Sequence, residues 1–151
     1  MTPSNGGFTL LEVTIAMAVI MVVVSGIFLG IRANSAEEHR ALYAAALTFQ
    51  SDMRYIQRRA IMEGREFSVR FDTVRNRYTL ETNMPFGIIR HVYLEEGVRL
   101  LGTTIRGIQR AGYTARGTPT QVFTLRLGGA TYIQPITVTL GGGKVIIHDR
   151  E

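Results

Sequence analysis

The chain contains no cysteine. That absence excludes disulfide frameworks, thiolate metal sites and cysteine nucleophiles together, and it leaves the redox compartment open. Charge is sparse, at 19% of 151 residues. Lysine occurs once, at Lys144, so basic charge is almost entirely arginine. The formal net charge of +5 favours polyanions but decides nothing about fold. Four local absences say more. Residues 1–7, MTPSNGG, carry no lysine or arginine. Val13 to Ile31 carries no charge over 19 positions. Arg32 to Glu63 has neither glycine nor proline, and Gly97 to His148 has no acid. What is present, 46% apolar residues in a chain about one domain long, excludes a disordered protein and makes a multi-domain enzyme implausible.

The run Phe8–Ile31 holds one charge, Glu12. Its uncharged part extends about 28 Å as a helix, close to the hydrocarbon thickness of a bilayer, so 8–31 is expected to be a single transmembrane helix. The rival is a secretory signal peptide. The run is long for one, starts after a Gly-Gly pair and has no small-x-small cleavage pattern at its far end. From 32 to 63, Leu42, Ala45, Ala46, Phe49, Met53, Ile56 and Ala60 recur at three- and four-residue steps, the stripe of an amphipathic helix. Arg58–Arg59 are expected in its last turn and Gly64 at its C-cap.

Twelve of the 16 glycines and three of the four prolines lie from Gly64 onward. Phe67, Val69 and Phe71 alternate; Tyr78 and Leu80 come after a turn at Val74–Arg77. Ile88–Leu94 and Val98–Leu101 are short apolar runs. Phe123, Leu125 and Leu127 alternate, as do Ile136, Val138 and Leu140, and Gly141–Gly143 turns the chain into Val145–Ile147. The expected fold is α+β: a long N-terminal helix packed on an antiparallel sheet formed by residues 64–151. Glycines at 97, 102, 107, 112 and 117 keep a five-residue spacing, but the residues between do not repeat, so the segment reads as loop-rich.

A carboxylate at Glu12 is costly this close to the apolar run, and its own helix offers no cation. A cut after Gly7 creates an α-amino group at Phe8 that cannot reach Glu12 without distorting the first turn. An adjacent copy can supply that amine, so the charge mismatch points to assembly through helices. GFTLLEV at Gly7–Val13 resembles the processing motif of type IV pilins and of the pseudopilins of type II secretion. The resemblance implies a leader at 1–7, cleavage between Gly7 and Phe8 by a prepilin peptidase, methylation of Phe8, and pairing of Glu12 with a neighbouring subunit's N-terminus. It implies further partners: other pilin or pseudopilin subunits, an inner-membrane assembly platform and membrane lipid. The location implied is the cytoplasmic (inner) membrane, single-pass, with the globular domain outside the cytoplasm and incorporated in a filament.

The helix-to-sheet pattern and the closing hairpin resemble H-type minor pseudopilins and FimT-type minor pilins. The basic-free leader departs from that family's habit and weakens any argument about orientation from flanking charge. The missing membrane-helix proline and C-terminal disulfide loop favour a minor or pseudopilin-type subunit over a principal pilin. Gly26 and Gly30, a G-x-x-x-G spacing, are expected either to let helices approach closely or to soften the helix. In the acid-free segment, Arg99, Arg106, Arg110, Arg116, Arg126 and Lys144, interleaved with Tyr113 and Tyr132, offer an alternative role in DNA binding, as some FimT-type pilins perform. The bland reading is a solvated basic face or one that meets an acidic subunit. An enzyme is not expected. GGGK at Gly141–Lys144 lacks phosphate-loop spacing, and His39, His91 and His148 are scattered, so no metal or cofactor is expected. Glu37–Glu38 and Glu95–Glu96 read as solvated pairs, and His148 as a contact of the tail.

Overall fold

A computed structural model describes residues 9–83, 85–107 and 109–149, with side chains omitted for 27–35. One helix, α1, spans Leu10–Glu63. Eight strands succeed it: β1 Phe67–Asp72, β2 Arg77–Thr82, β3 Gly87–Tyr93, β4 Arg99–Thr103, β5 Arg110–Tyr113, β6 Phe123–Gly128, β7 Ile133–Val138 and β8 Val145–Ile147. The chain divides into two compact units, 1–36 and 37–151.

In the second unit, α1 buries Leu42, Ala46, Phe49, Met53, Ile56 and Ala60, the stripe expected from their spacing. Gly64, at φ 63, ends the helix in the left-handed conformation that glycine adopts without penalty. The helix ends at Glu63 as expected, but the basic pair lies just before its last turn, with Arg59 paired to the Glu63 carboxylate. Glu63 also pairs with Arg65, beyond the helix end.

The expected single sheet is two. All neighbouring strands are antiparallel, in the orders β3-β2-β1-β5 and β4-β6-β7-β8. Phe67, Val69 and Phe71 on β1 and Phe123, Leu125 and Leu127 on β6 point into one core. Phe49 of α1 joins the two sheets there. Its ring lies 5.3 Å from Tyr78 and 6.5 Å from Phe123, and Phe71 stands 5.5 Å from Phe123. Such offset and edge-on aromatic pairs contribute about 1 kcal/mol each beyond burial. Asn76, in the β1–β2 turn at φ 50, donates to Val98 O at 2.7 Å and accepts from Leu100 N at 2.7 Å, so one residue ties the first hairpin to the start of the second sheet.

The loop-rich reading of 97–117 misses β4's full length and all of β5. β5 is four residues long and buries Ala111, Gly112 and Tyr113 in succession, so no alternation marks it in the sequence. The five evenly spaced glycines fall on unlike elements, from a turn at Gly97 to mid-strand at Gly112, so no repeat exists. The last hairpin is present, but β7 ends at Val138; Leu140 lies exposed in the turn instead of continuing the alternation.

Candidate functional site

The first turn of α1 is built around Thr9. Its hydroxyl accepts from Glu12 N at 3.3 Å and its carbonyl from the same amide at 3.0 Å, an N-cap that places Glu12 in the third helical position. From Thr9 to Gly26 every residue is exposed, including Leu10, Leu11, Ile15, Met17, Ile20, Met21 and Val22. A helix apolar on all sides is stable only in lipid or among other helices. The two further hydroxyls of this stretch are satisfied internally: Thr14 donates to Leu11 O at 2.8 Å and Ser25 to Met21 O at 2.7 Å. That leaves the Glu12 carboxylate as the one polar side-chain group of Thr9–Gly26 without a hydrogen-bond or ion-pair partner among the described residues. Gly26 has open space where a side chain would stand.

Gly7 and Phe8, the expected cleavage and methylation positions, and the leader 1–7 lie outside the described residues, as do the surroundings of Gly30. Among the described residues no helix is long and apolar enough to cross a membrane. Phe8 and residues 27–31, which complete the expected span, are not among those whose side chains are described.

In the body, the candidate DNA-binding residues fall at separate places. Arg99 on β4 and Arg126 on β6 are exposed on adjacent strands. Arg116 and Lys144 lie in two turns that share a contact, since Gln57 Nε2 donates to Gly117 O at 2.9 Å and Gly142 O at 3.0 Å. Arg106 stands exposed in the β4–β5 connection. Arg110, on the other sheet, is committed: it binds the fully buried Glu81 at 2.6 Å, and Arg70 meets the second oxygen at 2.7 Å. Arg70 and Arg110 face each other across the β1–β5 ladder, and Glu81 between them converts a like-charge repulsion into an ion triad. Tyr113 is unavailable for stacking on a base: it is buried, its hydroxyl donates to Gly143 O at 3.1 Å, and burial pushes its pKa up to about 12.

Several charged residues carry structural roles that the sequence did not disclose. Asp52 is buried on α1, accepts from Tyr78 OH at 2.7 Å and pairs with Arg90 of β3. Burial, then the neighbouring Asp52 carboxylate, raises the Tyr78 hydroxyl far above its ordinary range. Glu38 is not simply solvated. Its carboxylate accepts from Thr131 N at 2.7 Å and Tyr132 N at 3.0 Å, and a side chain at Gly129 would occupy the same space. These backbone donors hold Glu38 below its ordinary value of 4.5, because they bind the charged form. The stability it contributes is present above that value and is lost as pH falls through the lowered one. Glu38→Ala is therefore expected to unfold at a lower temperature than wild type at neutral pH and to converge with it in acid. An equal gap at both ends of the titration would contradict this. The histidines serve local contacts: His91 meets Thr79 Oγ1 at 3.0 Å, and His148 meets Thr137 Oγ1 at 2.9 Å.

Residues 2–28 match the family model described as the prokaryotic N-terminal methylation motif. No curated protein matches the chain by sequence. Solved structures match by fold. The minor pseudopilin EpsH from the type 2 secretion system of Vibrio cholerae aligns with a TM-score of 0.59 at 18% identity, over 71% of this chain and 95% of that one. The type IV minor pilin FimU of Pseudomonas aeruginosa aligns at 0.57 and 12% identity, over 74% and 91%. Both similar proteins are structural subunits, and this chain shares their arrangement of an N-terminal helix on antiparallel sheets.

Proposed function

We propose, for a chain that joins a type IV prepilin N-terminus to the fold of minor pilins and pseudopilins, a role as a minor structural subunit of a pilin-like filament. The chain is anchored in the cytoplasmic membrane through 8–31 with its body outside the cytoplasm. It is cut between Gly7 and Phe8 by a prepilin peptidase, methylated at Phe8 and passed to the filament by the inner-membrane assembly platform.

One observation carries this reading: among the described residues, Glu12 is an unpaired carboxylate at the head of a helix that is otherwise apolar or self-satisfied. An ionised group without a partner costs up to a few kcal/mol as it enters hydrocarbon, and proteolysis of a second molecule produces the cation that removes the cost. Gly26 leaves a bare patch of backbone on the same helix, where a neighbouring helix can approach.

Intact-mass and N-terminal peptide analysis of the chain co-expressed with a prepilin peptidase tests the proposal. The expected product begins at Phe8 and carries one methyl group on its amine. A product still beginning at Met1, or cut elsewhere, would remove the basis for a filament role. No DNA-binding role is attached, because Arg110 is neutralised by Glu81 and Tyr113 is buried and cannot stack on a base.

A further inference from the structure

The helix face of 37–63 that points away from the sheets is cationic and partly apolar. Arg40, Tyr43, Leu47, Ser51, Arg54, Tyr55, Arg58 and Met62 are all exposed and succeed one another at helical spacing. Arg40, Leu47 and Arg54 recur at seven-residue steps and so lie along one side of the helix. No acid is exposed between Arg40 and Met62, since Asp52 is turned inward to Arg90 and Tyr78. Among the described residues, Arg40, Arg54 and Arg58 have no ion-pair partner, in contrast with Arg59, which is bound by Glu63. Apolar exposure here is substantial: Tyr43 is 47% exposed, Leu47 42% and Tyr55 44%. A shallow, open recess of about 340 Å³ on this face is lined by Leu47, Gln50, Ser51, Arg54, Tyr55 and Arg58. Leu47 and Tyr55 beside Arg54 and Arg58 suit apolar side chains flanked by carboxylates.

A second copy of this chain does not fit. It presents the same arginines, and half of the described acids of the body are already held. Asp52, Glu63, Asp72 and Glu81 are ion-paired, and Glu38 is held by backbone amides. Glu95–Glu96 is the one adjacent acidic pair left free among the described residues, and it lies in a connection between strands, not on a helix.

We infer that this face docks a different subunit, one offering an acidic amphipathic helix with apolar residues at heptad spacing. Like charge excludes self-pairing along 40–62, so the stripe acts as a device that admits a heterotypic neighbour and rejects a copy. The inference rests on the pilin-like reading, in which helices of successive subunits lie side by side.

The test uses the full chain in zwitterionic nanodiscs and, as probe, a synthetic amphipathic helix with a leucine face flanked by glutamates. Binding is expected to weaken by at least about tenfold in Arg54→Glu/Arg58→Glu, and comparably when salt is raised from about 0.05 to about 0.5 M. A probe with lysines in place of glutamates is expected not to bind. Unchanged unfolding temperature in the double variant shows that the body is intact, as both side chains are exposed. Failure of the glutamate probe to bind, equal binding by the lysine probe, or no effect of the double variant overturns the inference. Adsorption to phosphatidylglycerol vesicles without glutamate-probe binding also overturns it, in favour of a lipid surface. The N-terminal mass of the same preparation separates the two levels. Correct cleavage without probe binding removes only the acidic partner, whereas probe binding by an uncleaved chain supports the surface and removes the filament role.

Discussion

Glu12→Val yields a chain that inserts in the membrane and is cut after Gly7, yet is missing from sheared filaments. Valine matches its neighbours in the apolar run, so insertion becomes easier by the few kcal/mol that the carboxylate costs. What disappears is the differential term. In the wild type, the unpaired charge is tolerable only beside a second molecule's amine, so assembly gains what isolation loses. A gain of about 3 kcal/mol corresponds to more than a hundredfold in the partition between membrane pool and filament. Fractionation and quantitative immunodetection of sheared filaments measure that ratio. Glu12→Gln, isosteric but neutral, is expected to fail as well, which separates charge from shape. Wild-type incorporation of either variant would show that the carboxylate does not drive assembly.

Gly112→Ala is expected to unfold the body at a temperature lower by roughly 10 °C or more. On β5, Gly112 packs so closely on β1 that an added Cβ would stand 2.1 Å from Phe67 O and 2.6 Å from Ser68 Cα. Both are backbone atoms in the middle of a sheet and cannot swing aside as a flexible side chain can. Relief requires β5 to move off β1, which strains the Arg110–Glu81 pair and the hydrogen bond from Gly112 N to Thr120 Oγ1 at 3.0 Å. Overpacking of this kind costs about 3 kcal/mol, and each kcal/mol lowers the midpoint of a domain this size by about 4 °C. Calorimetry of residues 37–151 checks it. Gly97→Ala, at a φ of 87 with open space around it, should cost less. A loss at Gly112 no larger than that at Gly97 would show that the close approach to β1 carries no penalty.

Legibility tracked the range of the interaction. The stripe Leu42–Ala60, the alternations of β1, β2 and β6 and the cap at Gly64 each depend on residues a few positions apart, and periodicity reports those directly. The helix ends at Glu63 as expected, yet Arg58–Arg59 lie just before its last turn, where Arg59 pairs with Glu63. Glu38 reads as a surface acid in sequence. Its donors lie 93 and 94 residues away, so only the folded β6–β7 turn reveals the clasp. Glu81 is a similar case: one acid in β2 is buried with Arg70 of β1 at one carboxylate oxygen and Arg110 of β5 at the other.

By itself, the order of residues determined the apolar run with its one carboxylate, the helix that continues from it and the strand-rich character of residues 64–151. Those properties are local, carried by spacing and by the cost of charge in grease. The tertiary structure alone decided that the strands divide into two sheets meeting at Phe49, which arginines are neutralised, and which face of 37–63 is left cationic and uncovered. Such choices turn on partners distant in the chain, and a buried charge is tolerated only where folding brings its counter-charge within reach.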